Sequence, residues 1–241
     1  MRLLIDAGNT RIKLALADGD AWQLMQPLPS SQAHELSARF AMLPDVRQVW
    51  VSNVAGDEVA RHIRAACAAR QWQPHFIAAR AAQCGVRNGY EQPAQLGCDR
   101  WAALIAAWHQ VQGACLVVNC GTATTIDALS AQGEFLGGLI LPGIELMRRS
   151  LIGATAGLRP QGGAYEAFPR NTQDALFSGA IQACCGAIAR QHALLDTAHA
   201  PVVLSGGAAD LLPAHLNLPL RMADNLVLQG LLLIAQEESV S

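Results

Sequence analysis

Leu3, Leu4 and Ile5 form an apolar run before Asp6, and Ile12, Leu14 and Leu16 then alternate with Lys13 and Ala15. The run reads as a buried strand over residues 2–6, and the alternation as a half-buried strand over 11–17. Gly19 turns the chain into a further strand at 22–25. Helical spacing at 31–43 and 57–72 flanks a strand at 46–54, and 74–78 is a shorter strand. Residues 83–96 are polar and carry Gly, the marks of a functional loop. A helix is expected over 97–111, ended by Gly113.

The second half repeats the theme. Residues 115–119, 124–129 and 135–141 read as strands, with a turn at Gly133 and a stop at Pro142 and Gly143. Residues 144–157 and 172–196 have helical spacing. A buried strand at 201–205 leads into Gly206, Gly207 and a helix, and 225–236 closes the chain as a helix. Strands first, then alternating helix and strand, in both halves: this predicts an α/β duplication. The expected lobes are 1–113 and 114–241.

Composition narrows the class. The chain has 241 residues, 51% of them hydrophobic, enough for a sizeable core. A net charge of −2 leaves no electrostatic footprint for nucleic acid or an acidic membrane surface. Seven cysteines without a C-x-x-C pair argue for reduced thiols rather than zinc or disulfides, and hence for a cytoplasmic protein. No signal peptide is expected, and the longest apolar run, 226–235, is too short for a membrane span.

The chemistry sits in two similar turns, Asp6-Ala-Gly-Asn-Thr10 and Asn119-Cys-Gly-Thr-Ala-Thr-Thr125, each after a strand-like run. In each, a Gly two positions after an acid or amide lets the backbone bring N–H groups against phosphate oxygens. Thr10 and Thr122 can donate hydroxyls to the same oxygens, and Asp6 can hold a divalent cation. Two copies suggest two similar lobes gripping one nucleotide. There is no Walker-A motif, and no G-x-G-x-x-G follows the first strand, so the turns are read as strand–turn–strand phosphate hairpins. A late Ser205-Gly-Gly-Ala208 turn can admit a nucleobase close to the backbone.

Together with Lys13, Gly97-Cys-Asp-Arg100, Gly137-Gly138, Pro142-Gly143, Asn171-Thr172 and Gly206-Gly207, these turns resemble type III pantothenate kinase. That family is part of the actin/hexokinase/Hsp70-like phosphotransferase superfamily. The matches run in family order along essentially the whole chain. The resemblance implies an α/β fold of two similar lobes, the actin-like ATPase (ribonuclease H-like) duplication. It also implies ATP-dependent phosphorylation of pantothenate to 4′-phosphopantothenate, the first step towards coenzyme A.

The resemblance further implies Asp99 as the catalytic base. Asp6, Ala7, Gly8, Asn9, Thr10, Arg11, Ile12, Lys13, Thr122, Gly206 and Gly207 are implied to bind ATP. Tyr90, Gly97, Cys98, Asp99, Arg100 and Thr172 are implied to bind pantothenate, Thr172 reaching in from a partner subunit of a homodimer. Asp6 would carry Mg²⁺, and Asn119 stands where the family usually has an Asp that helps hold K⁺ or NH₄⁺. Asn keeps an oxygen ligand but has no charge, so weaker monovalent-cation activation is expected. Two rival readings are another small-molecule kinase of the superfamily and a non-enzymatic regulatory factor.

Overall fold

The computed structural model describes residues 1–154, 162–195, 197 and 199–239. The chain divides into two compact units, Met1–Gln110 with Leu226–Ser241, and Val111–Asn225.

The first unit begins with β1 (Arg2–Ala7), β2 (Arg11–Asp18), β3 (Ala21–Leu24) and β4 (Leu28–Pro29). It continues with α1 (Leu36–Ala41), β5 (Gln48–Asn53), α2 (Asp57–Ala68) and β6 (Pro74–Phe76). A short hairpin of β7 (Ala82–Gln83) and β8 (Val86–Asn88) leads to α3 (Cys98–Val111). The sheet order is β3-β2-β1-β5-β6, with β4 on β2. β1 to β3 form an antiparallel meander, while β5 and β6 add in parallel on the other side of β1. Successive residues of a strand face opposite ways. Leu3, Ile5 and Ala7 therefore join the core with Phe40 of α1 and Ile63 of α2. Leu4 and Asp6 take the opposite face of the sheet.

The second unit contains β9 (Cys115–Cys120), β10 (Ala123–Leu129), β11 (Glu134–Pro142), α4 (Ile144–Ala154), α5 (Thr172–Leu194), β12 (Val202–Ser205) and β13 (Leu220–Met222). Its strands run β13-β12-β9-β10-β11. β9 to β11 are an antiparallel meander, and β12 and β13 add in parallel beside β9. Taking β9 as the counterpart of β1, this is the order and polarity of the first unit. The duplication is real. Ala180, Ile181, Cys184, Cys185 and Ile188 place one face of α5 in the core.

α6 (Leu226–Glu237) packs on β1, β2 and β5. It thus belongs with the first unit, which differs from the expected second lobe of 114–241. Its length and apolarity suit any buried helix position, so nothing in its pattern says which sheet it covers. Other local differences have identifiable causes. The helix expected at 31–43 is a 3₁₀ stretch, Ser30–Glu35, followed by α1, because Gln32 takes non-helical angles. The helix expected after Gly207 is the single 3₁₀ turn Ala209–Leu211, since Pro213 opens a new turn. The expected loop at 83–96 holds β8 and a 3₁₀ turn at Pro93–Gln95. The expected helix ends at Gly157 and Asp196 lie outside the described residues. No helix among the described residues is long and apolar enough to cross a membrane.

Candidate active site

The β1–β2 hairpin sets the first cluster. Asp6 pairs directly with Lys13 across the two strands, and Gly8 N–H donates to the Arg11 carbonyl at 3.0 Å to close the turn. Ser30 braces the turn from outside: its hydroxyl donates to the Gly8 carbonyl at 2.6 Å, and its N–H to the Thr10 carbonyl at 3.0 Å. Asn9, Thr10 and Arg11 are exposed at the tip. Ala7 and Ile12 turn into the core, so only their backbone can face a nucleotide.

On its other side β1 pairs with β5, which sets Ser52 directly beside Asp6. The Ser52 side chain lies 3.4 Å from the Cys98 sulfur, and Cys98 donates to the Asn53 carbonyl at 3.5 Å. These contacts tie the start of α3 to the end of β5. Asp99 therefore comes within electrostatic reach of Asp6. Burial pushes the Asp6 carboxyl up to about 7, the Lys13 ammonium pulls it back, and the Asp99 carboxylate adds to the rise. Burial likewise raises the Cys98 thiol, with the Ser52 contact opposing it.

Asp99 sits in the first turn of α3, where the helix dipole favours an anion. Its Oδ1 accepts from the Arg100 N–H at 2.8 Å. A Cβ on Gly97 would lie 2.7 Å from that same oxygen, so the carboxylate can fold back only over a glycine. Arg100 is 7% exposed and donates to the Tyr90 hydroxyl at 3.0 Å, its guanidinium 5.7 Å from the ring centroid. The first unit thus brings together Asp6, Lys13, Tyr90, Gly97, Cys98, Asp99 and Arg100.

In the second unit the turn after β9 is built from bare backbone. Gly121 N–H donates to the Ala123 carbonyl at 3.0 Å, which leaves Thr122 exposed at the tip. Gly143 N–H reaches the Thr122 carbonyl at 2.9 Å, and a Cβ on Gly143 would collide with the carbonyl oxygens of Gly121 and Thr122. Gly206 has φ +99°, and a Cβ there would lie 2.5 Å from the Cys120 oxygen and 2.7 Å from Asn119 Oδ1. Asn119, Thr122, Gly206 and Gly207 therefore form a second cluster. Thr172 is the first residue of α5, after the N-cap Asn171 whose side chain accepts from the Asp174 N–H. It lines a groove of about 460 Å³ between α4 and α5, with Met147, Leu151 and Leu176. Ser30 and Ser52 escaped the sequence reading. A lone serine carries no periodic signal, and only strand register reveals what it touches.

Residues 2–193 match the family model described as type III pantothenate kinase. The chain belongs to the type III pantothenate kinase family. A member from Aromatoleum aromaticum is 48% identical, with all of both chains covered. One from Nitrosomonas eutropha is 46% identical over 97% of this chain and 94% of its own. Both bear the family's name. Among solved structures, a Campylobacter jejuni protein provisionally described as a Baf family transcriptional activator has a TM-score of 0.65 at 23% identity, covering 99% of this chain and 100% of its own. The Listeria monocytogenes protein Lmo2764, provisionally described as an N-acetylmannosamine kinase, has a TM-score of 0.58 at 14% identity, covering 98% and 99%. At those identities the two structures speak for the fold alone. It is the two-lobed fold that sugar kinases share with actin-like ATPases.

Proposed function

We propose that this chain transfers the γ-phosphoryl group of ATP to the primary hydroxyl of pantothenate, giving 4′-phosphopantothenate and ADP. The family match over residues 2–193 carries the reading. Phosphoryl transfer asks for positioning, charge neutralisation and a base at the attacking oxygen. Asp99 is the base: it takes the hydroxyl proton as the oxygen bonds to phosphorus and the bond to ADP breaks. The planar guanidinium of Arg100, steadied by Tyr90, suits the carboxylate of pantothenate. Lys13, the exposed Thr10 and Thr122, and the glycines at 206 and 207 serve the nucleotide.

Asp6, with the Asp99 carboxylate within electrostatic reach, offers hard oxygen ligands that suit a divalent cation. Asp6 would hold Mg²⁺, in part through water, and the ion would neutralise phosphate charge. Asn119 offers a neutral oxygen to a monovalent cation. The chain is read as a cytoplasmic homodimer. Support for the dimer comes from the groove that holds Thr172, lined in part by Leu151, which is 50% exposed.

ADP release dependent on pantothenate is the direct test. Asp99→Asn keeps the shape and removes the base, so turnover should fall by roughly 10²–10⁴-fold with pantothenate binding retained. Near-normal turnover would remove Asp99 from this role, and a wild-type protein inert towards pantothenate would overturn the proposal.

A further inference from the structure

Tyr90 and Arg100 face each other across a loop of the first unit, and something must hold that loop. Residues 89–97 carry Gly89, a short 3₁₀ turn and Gly97, a composition with little stiffness of its own. The side chain of Asn88, the last residue of β8, grips the loop twice. Its Oδ1 accepts from the Tyr90 N–H at 3.1 Å, and its Nδ2 donates to the Pro93 carbonyl at 3.2 Å. One amide thus fixes both the residue that carries the phenol and the start of the 3₁₀ turn that leads to Gly97. Asn88 is itself anchored, because its own N–H donates to the Ala81 carbonyl at 2.9 Å. The base of the loop is held separately, where Gln83 Oε1 accepts from the buried Trp101 indole N–H at 3.1 Å.

We infer that Asn88 is a positioning residue for the acceptor substrate, acting through Tyr90. The inference rests on the pantothenate-kinase reading, in which Tyr90 and Arg100 meet the substrate. Asn88 itself touches neither substrate nor reacting atoms in this scheme. Its amide sets the main chain at Tyr90, the phenol then accepts from Arg100 at 3.0 Å, and the guanidinium is presented in one orientation. Only a side chain with both a donor and an acceptor can close the two bonds at once. Asp would keep the acceptor and lose the donor. Ala would lose both. The nucleotide-facing turn at Asp6–Lys13 has no part in the brace, so the effect should be selective.

Steady-state kinetics of the full-length protein test this. Asn88→Ala should raise the KM for pantothenate about tenfold, the scale of one or two neutral hydrogen bonds. The KM for ATP and kcat should stay within about twofold, since neither interaction is touched. Asn88→Asp should fall between wild type and Asn88→Ala. In a Tyr90→Phe background, Asn88→Ala should add much less than it does alone, because both changes act on one hydroxyl contact. An unchanged KM for pantothenate in Asn88→Ala overturns the inference. So does full additivity with Tyr90→Phe, or an equal rise in both KM values with a lowered melting temperature, which marks a general structural role. Failure of the functional reading looks different: the wild-type protein itself would then show no pantothenate-dependent turnover.

Discussion

Gly230 is the glycine at which two opposing effects can be weighed. It lies inside α6, where Ala is favoured over Gly by about 1 kcal/mol on helix propensity. A Cβ at this position would collide with the carbonyl oxygen of Ala102 in α3, and would lie 2.5 Å from its carbonyl carbon and 2.8 Å from its Cα. Carbon atoms in good contact stand about 3.5–4.0 Å apart, so the helices must separate by about 1 Å. The obstacle is backbone, which cannot rotate away as a side chain would. A gap of that size forfeits about a quarter to a half of the dispersion attraction across it. Buried residues on the two helices include Trp101 and Leu104 of α3 and Leu231 and Ile234 of α6. Overpacking costs about 1–3 kcal/mol, and this contact belongs at the upper end. The net loss for Gly230→Ala is then about 2 kcal/mol, a fall in Tm of about 4–8 °C for a chain this long. Gly186 on α5 is the control: a Cβ there meets nothing within 4 Å, so Gly186→Ala should raise Tm slightly. Thermal melts of both variants decide the matter. Turnover should also fall in Gly230→Ala, since Asp99 lies one turn from Ala102 on the helix that must move. A Gly230→Ala protein as stable as wild type would refute the argument.

Three further outcomes are expected. Asn119→Asp restores a charge worth about 1–4 kcal/mol at a few ångströms, so activation by KCl at constant ionic strength should strengthen; an unchanged titration would show that the missing charge is immaterial. Leu151, half exposed on the α4–α5 groove, should resist charge if the groove is a subunit interface: Leu151→Glu should convert a dimer to a monomer in light scattering, and a monomeric wild type would remove the dimer. Burial pushes the thiol of Cys67 up to about 11 and those of Cys115 and Cys120 up to about 12 from 9.0. Their contribution to stability is complete below pH 9.0 and is lost as the pH rises through those values; a denaturation midpoint flat across that range would contradict it.

Much of the fold is legible where burial imposes a strict period. Lys13 between Ile12 and Leu14 announces a half-buried strand, and the structure pairs it with Asp6 as the hairpin reading requires. The duplication is legible from element order, and the matching strand orders bear it out. What stays hidden depends on neighbours distant in sequence. Ser52 matters because β5 lies in parallel register with β1. Gly143, legible as a stop and a family match, is required for a reason that is not legible: its bare backbone meets a turn some twenty residues earlier. The placement of α6 is invisible for the same reason. An apolar helix states that it will be covered without saying by what.

The return of α6 to the first unit has a consequence for how the protein is made. Synthesis delivers residues 1–110 first, yet the first unit lacks α6 until residues 226–237 emerge from the ribosome. The second unit is continuous in sequence and needs no later segment to close. Until then Ala102 has no Gly230 against it, and α3 is held by its remaining contacts, among them those of Cys98 with Ser52 and Asn53. The first unit, Asp99 with it, therefore completes its packing only after the whole of the second unit has been synthesised.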